Sequence, residues 1–295
     1  MNLSKILTTG RPAIMANRFR ANNLCRPAHR HYLLLLALLG LVQPACADAL
    51  KATSLHYTLL QSSPQDARYF TQGLEIHQGQ LLQSSGLYGK SKLVSRPLNA
   101  EPQSPDAKLS WQQALPKNYF AEGLTVLDDT VYLLSWREQT LWRFELNSGK
   151  LRSRSTYQGE GWGLSNNGKH LIRSDGSDTL YFHDPTTLTI DRQIAVTRRG
   201  TAVKNINELE FAHGLIWANI WFSSEIIAID PATGHVVAVL DVAELARRER
   251  THNPDPNAVT NGIAYDARDD TFWVTGKHWS NLYQLKLNTQ PLNKP

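Results

Sequence analysis

One acid, three indoles, one amide and one lysine stand out by their neighbours in this 295-residue chain. Glu122 lies in Phe120-Ala121-Glu122-Gly123-Leu124. Taken out of water, such a carboxyl rises in pKa and carries a proton near neutrality. In solvent, or in an ion pair, it does neither. Trp136, Trp162 and Trp221 each stand at or near the top of an inner β element. Trp162 lies between Gly161 and Gly163, an odd place for a core ring. Glycine neighbours let an indole stand in an opening, where aromatic walls suit a small, partly apolar ligand. Trp111, Trp142, Trp217 and Trp273 read as core instead. Lys277 follows a strand in Thr275-Gly276-Lys277-His278-Trp279. In a pocket it would hold an oxyanion or carbonyl, and in water it is a surface charge. Asn207 could bind a carbonyl or an amine without adding charge.

The elements that must position these groups repeat. Phe70-Thr71-Gln72-Gly73-Leu74, the Glu122 segment, Gly161-Trp162-Gly163-Leu164, Asn207-Glu208-Leu209-Glu210 and Asn261-Gly262-Ile263-Ala264 recur about every 40 to 53 residues. Paired β-rich runs follow each one, such as Val131–Trp136 and Thr140–Leu146. A period of that size with paired strands predicts an all-β, five-bladed β-propeller. Asn147-Ser148-Gly149, Asp184-Pro185-Thr186-Thr187 and Asp230–Gly234 supply turns before a fourth strand. The last blade has three strands, so Ser54–Leu60 is expected to add its outer strand and close the ring. One stretch reads as helix, Val242–Arg250, and leads into the polar loop Thr251–Asn257. That insertion is either a decorated connection or a flap near the pocket.

Composition sets the boundaries. Residues 1–47 hold six of the 31 Lys and Arg and none of the 26 Asp and Glu. They include the apolar run Tyr32–Val42 and the small residues Ala45-Cys46-Ala47. This reads as a cleaved secretory signal with a long basic front, and Met15 is an alternative start. The apolar run is too short for a stable membrane anchor. A lipid-anchored reading at Cys46 is weakened by Gln43. The chain as a whole is +5, but 25 basic against 26 acidic residues remain after position 47, which is −1. The basic balance therefore belongs to the leader and argues against nucleic-acid binding. The expected order is leader 1–47, propeller 48–290 and polar tail 291–295, in an exported, periplasmic or extracellular monomer. Both cysteines, Cys25 and Cys46, fall in the leader, which removes disulfides, thiol nucleophiles and thiolate metal sites from the domain.

Other chemistries lack their signatures. The ten histidines show no metal-binding spacing. Glu208, Glu210 and Asn219 could ligate calcium, without any EF-hand spacing. No G-x-S-x-G, P-loop or dinucleotide fingerprint is present.

The five repeated segments, with Ala218-Asn219-Ile220-Trp221 and Thr275-Gly276-Lys277-His278-Trp279, together resemble the glutamine cyclotransferases of the plant and bacterial type. Seven collinear motifs span nearly the whole chain after the leader. The resemblance implies a five-bladed propeller acyltransferase that converts N-terminal glutamine of peptides or proteins to pyroglutamate and releases ammonia. It implies a pocket of Phe70, Gln72, Phe120, Glu122, Trp136, Trp162, Asn207, Trp221 and Lys277. Glu122 would shuttle the proton, and Lys277, with Gln72 or Asn207, would stabilise the oxygen. No cofactor is required for this chemistry, and room is left for a structural calcium. Ala121 and Ser280 depart from the family pattern, Ser280 standing where Pro is common. Two other classes stay open: a calcium-dependent propeller lactonase or related hydrolase, and a non-catalytic propeller that binds peptides.

Overall fold

The computed structural model describes residues 51–98 and 109–288. The expected leader, its cysteines, Met15 and the tail 291–295 lie outside the described residues. Two strands open the described chain, β1 (Thr53–Leu55) and β2 (Tyr57–Pro64). The first blade is β3 (Thr71–His77), β4 (Gln80–Ser85), β5 (Lys92–Pro97) and β6 (Trp111–Ala114). The second is β7 (Ala121–Leu127), β8 (Thr130–Ser135), β9 (Thr140–Glu145) and β10 (Leu151–Thr156). The third is β11 (Leu164–Asn166), β12 (Leu171–Arg173), β13 (Thr179–His183) and β14 (Ile190–Ala195), followed by a small hairpin of β15 (Thr197–Arg198) and β16 (Thr201–Ala202). The fourth is β17 (Ile206–Ala212), β18 (Leu215–Ile220), β19 (Glu225–Ile229) and β20 (Val236–Asp241). Helix α1 (Ala243–His252) leads to the fifth, β21 (Thr260–Asp266), β22 (Thr271–Gly276) and β23 (Asn281–Leu287).

Each blade is an antiparallel meander. The innermost strands touch in the order β3, β7, β11, β17, β21 and back to β3, which makes a five-bladed β-propeller. The core is accordingly divided into five apolar clusters, one between each pair of neighbouring blades. Trp111 and Trp142 fill the seam between blades one and two. Trp217 and Phe272 meet at 4.7 Å between blades four and five, and Trp273 packs between five and one.

The expected outer strand of the last blade is present, with different bounds. Ser54–Leu60 is not one strand: the run breaks at His56. β1 joins the outer edge of blade four, parallel to β20, and β2 pairs antiparallel with β23 as the fourth strand of blade five. The two pieces thus cover the free edges of neighbouring sheets, which leaves fewer unpaired backbone groups than one strand would.

Gly123 and Gly163 explain how the inner strands come so close. A Cβ on Gly123 would stand 2.3 Å from the Leu164 nitrogen, and one on Gly163 would stand 2.0 Å from the Asn207 carbonyl oxygen. Only glycine allows that approach.

Besides Glu122, these strands carry the buried carboxyls of Glu208 and Glu210 and the half-buried one of Glu75. Glu208 accepts N–H bonds from Leu74 (3.1 Å) and Ile263 (2.8 Å), and so ties blade four to blades one and five. Glu210 accepts from Phe211 and Tyr265, and Glu75 from the Thr125 hydroxyl. Burial pushes all three above the ordinary carboxyl range, Glu75 to about 7, against the pull of those donors. A raised folded pKa means that the folded chain holds protons which the unfolded chain releases. For Glu75 the stabilisation is complete below about pH 4.5 and is lost as pH rises through about 7. The thermal midpoint is expected to fall by roughly 5 °C or more across that window, and Glu75→Gln should flatten the fall. Melting curves against pH test this; a midpoint independent of pH would refute it.

Candidate active site

Inner strands of four blades carry the same defect. Register slips by one residue between Thr71 and Gly73, Ala121 and Leu124, Ile206 and Leu209, and Thr260 and Ile263. A bulge leaves one residue unpaired and re-aims side chains. The bulged stretches contain Gln72, Glu122, Asn207 and Asn261. Hydroxyls of preceding blades hold two of these bulges: Ser84 donates to the Glu122 carbonyl and Ser174 to the Asn207 carbonyl, each at 2.6 Å. Three further contributors, Trp136, Trp221 and Lys277, sit just past the ends of the second strands β8, β18 and β22.

All nine residues singled out from the sequence line one cavity of about 200 Å³, together with Leu87, which sequence reasoning missed. Its walls are aromatic. Phe70 meets Phe120 edge-on at 6.2 Å, Phe120 meets Trp136 at 5.5 Å, and Trp162 meets Trp221 at 5.5 Å. Glu122 is the one acid and Lys277 the one cation among the lining residues. Both are buried. Burial drives the Glu122 carboxyl well above its usual range; Lys277 opposes that rise, while Glu138 and Glu160 add to it. Burial also pushes the Lys277 ammonium down to about 8, against the support of Glu122. The Lys277 nitrogen lies 4.7 Å from the Phe70 ring centre and 5.9 Å from that of Trp221, so ring faces replace part of its water.

Gln72 is less free than expected of an oxygen-binding group. Its amide donates to Glu122 Oε1 at 3.1 Å, and its carbonyl accepts from Asn261 at 3.3 Å. Gln72 therefore braces the carboxyl, and Asn261, present in the repeat but not singled out, orients Gln72. Asn207 Oδ1 is buried and has no protein partner, which leaves an acceptor for a bound molecule.

Glu160 is a second omission. Its Oε2 accepts the indole N–H of both Trp136 (2.8 Å) and Trp162 (3.0 Å), and its Oε1 accepts from Arg137. Partial burial works to raise its pKa, but the two indole donors and Arg137 hold it below the usual range. An ionised carboxylate thus clamps two walls of the cavity. The i, i+2 spacing of Glu160 and Trp162 was the only local signal.

The helix proves to be a brace. It runs Ala243–His252, so Thr251 and His252 are helical where a loop was expected. None of residues 242–257 lines the cavity. Leu245 and Ala246 bury themselves in the seam of blades four and five. Glu249 accepts from Ser280 N and Oγ, Asn281 Nδ2 and the Tyr283 hydroxyl, at 2.6–2.9 Å. These bonds fix the loop that follows Lys277. Serine suits position 280 here because proline has no N–H to give Glu249.

Glu208, Glu210 and Asn219, considered as calcium ligands, spend oxygens on backbone N–H groups, Asn219 on Gly262 at 2.8 Å. Among the described residues no three Asp, Glu, His or Cys side chains are grouped to hold a metal ion.

This geometry has counterparts in known proteins. The family model described as glutamine cyclotransferase matches residues 32–287. A glutaminyl-peptide cyclotransferase of Arabidopsis thaliana is 35% identical over 227 residues, 76% of this chain and 69% of the relative. The crystal structure of Myxococcus xanthus glutaminyl cyclase aligns with a TM-score of 0.73 at 36% identity, over 80% of this chain and 98% of the other. By motif, fold and alignment, the chain belongs to the glutamine cyclotransferase family.

Proposed function

We propose that the cavity cyclises the N-terminal glutamine of peptides and proteins, with Glu122 as proton carrier. The substrate's α-amine attacks its own side-chain carboxamide carbon. A C–N bond forms in the ring, the bond to the amide nitrogen breaks, and ammonia leaves. One proton must travel from the attacking to the departing nitrogen. Glu122 accepts it and delivers it, a task suited to a carboxyl whose pKa burial has raised well above its ordinary range. Lys277 faces the carboxamide oxygen as negative charge grows there. The aromatic walls hold the side chain folded back on the amine, and Asn207 accepts from one of the substrate's N–H groups. Holding amine and carbonyl together supplies part of the ~7–11 kcal/mol open to well-oriented intramolecular reactions.

The observation that carries this reading is that one acid and one lysine, both buried, line the same aromatic cavity. The chemistry needs no external nucleophile and no metal. Purified protein should release ammonia from a glutamine-initial peptide at the same rate with or without a chelator. Loss of turnover on chelation would favour a metal-dependent hydrolase instead.

Export is part of the same proposal. It rests on the basic front, apolar run and small residues of positions 1–47. No helix among the described residues is long and apolar enough to cross a membrane. We propose an exported monomer that meets its substrates in the periplasm or outside the cell.

A further inference from the structure

We propose that Tyr88 and Phe222, on the rim of the cavity, form a binding site for the residue that follows the glutamine, and that the site favours an aromatic or large apolar side chain there. This rests on the cyclisation reading and extends it to substrate choice.

The cavity, at about 200 Å³, is smaller than the ≈ 300–1,000 Å³ that drug-sized ligands fill, so it takes roughly one amino-acid residue. The peptide beyond that residue must leave across the mouth. Exposed apolar surface that is continuous with a pocket's lining marks a binding groove, whereas a single scattered ring does not. Tyr88 is 48% exposed and Phe222 is 60% exposed. Each directly follows a cavity-lining residue, Leu87 and Trp221. Each also rests on a wall ring: Tyr88 edge-on to Phe120 at 5.4 Å, Phe222 tilted over Trp221 at 4.5 Å.

Both rings are held rather than loose. The Tyr88 hydroxyl donates to Glu138 at 2.7 Å, which fixes the ring beside Phe120. Phe222 adopts a left-handed backbone, φ 65°, rare for a bulky residue, and the turn is pinned by Ser223 N bonding to the Ile220 carbonyl at 2.9 Å. Rings fixed before binding lose little freedom when a partner ring arrives. The apolar second side chain of a peptide is thus offered an extension of the aromatic wall.

The test compares glutamine amide, Gln-Gly-amide and Gln-Phe-amide on the wild-type protein and on the double variant Tyr88→Ala/Phe222→Ala. The wild type should prefer Gln-Phe-amide over Gln-Gly-amide by about tenfold in kcat/KM, the scale of one aromatic contact. The double variant should lose that preference while turning over glutamine amide at the wild-type rate. Phe222→Ala alone, whose side chain lies mostly in water, serves if the double variant does not fold. Equal wild-type rates on the two dipeptides, or a uniform loss on all three substrates, overturns the proposal. No turnover of any substrate by the wild type would instead sink the cyclisation reading.

Discussion

Glu122→Gln is expected to lower kcat by about 10²–10⁴-fold, the contribution of a positioned proton carrier, while the protein stays folded. Glutamine keeps the volume and can still accept the Gln72 amide bond, so the aromatic walls have no reason to move. What it cannot do is take a proton from the attacking amine. KM should change little, because the walls and Asn207 bind the substrate. Glu122 also supports the buried charge of Lys277, so the melting temperature should fall somewhat while the unfolding transition stays cooperative. Ammonia release at saturating peptide, with a melting curve on the same sample, decides the matter. Full activity in this variant would show that another group moves the proton.

Lys277→Met should cost about 10²–10³-fold in kcat, the scale of losing one donor to a developing oxyanion. The pH profile separates this role from a structural one. The working form of Lys277 is the protonated one, and burial has lowered its pKa to about 8. Wild-type activity should therefore fall as pH rises through about 8. The substrate's amine, with an ordinary pKa of ≈ 7.7–8.0, loses its proton in the same region and pushes the rate upward. In Lys277→Met the fall should vanish and the rise remain. A profile that keeps its alkaline fall would mean that some other group is responsible. The two predictions interlock: Glu122 supports the charge on Lys277. Residual activity in Glu122→Gln should accordingly begin its alkaline fall at lower pH than the wild type.

Much of this architecture is written locally. Repeats such as Phe70–Leu74 and Phe120–Leu124, each with its paired β runs, declare the blades. Turn residues such as Asp128 and Asp270, both with positive φ, sit where hairpins must reverse. Six of the nine cavity residues lie in the repeated segments, and the pocket as a set, with Trp136, Trp221 and Lys277, followed from the family resemblance. Leu87, Glu160 and the bracing Glu249 do not recur, so no period exposes them. Glu208 and Glu210 have oxygens that accept from N–H groups 55 and 134 positions away along the chain, pairings that no local spacing shows.

Strand content, blade number and the identity of the acid and the lysine are properties of short stretches, and the amino-acid order alone determined them. The bulges at Gln72, Glu122, Asn207 and Asn261 are properties of pairs of strands, since a register slip exists only relative to a partner. Tertiary structure likewise decided that Ser54–Leu60 divides between two blades, and that Glu160 reaches two indoles at once. A side chain's alternation can be read from its neighbours; its aim across a ring depends on contacts that form only when distant segments meet.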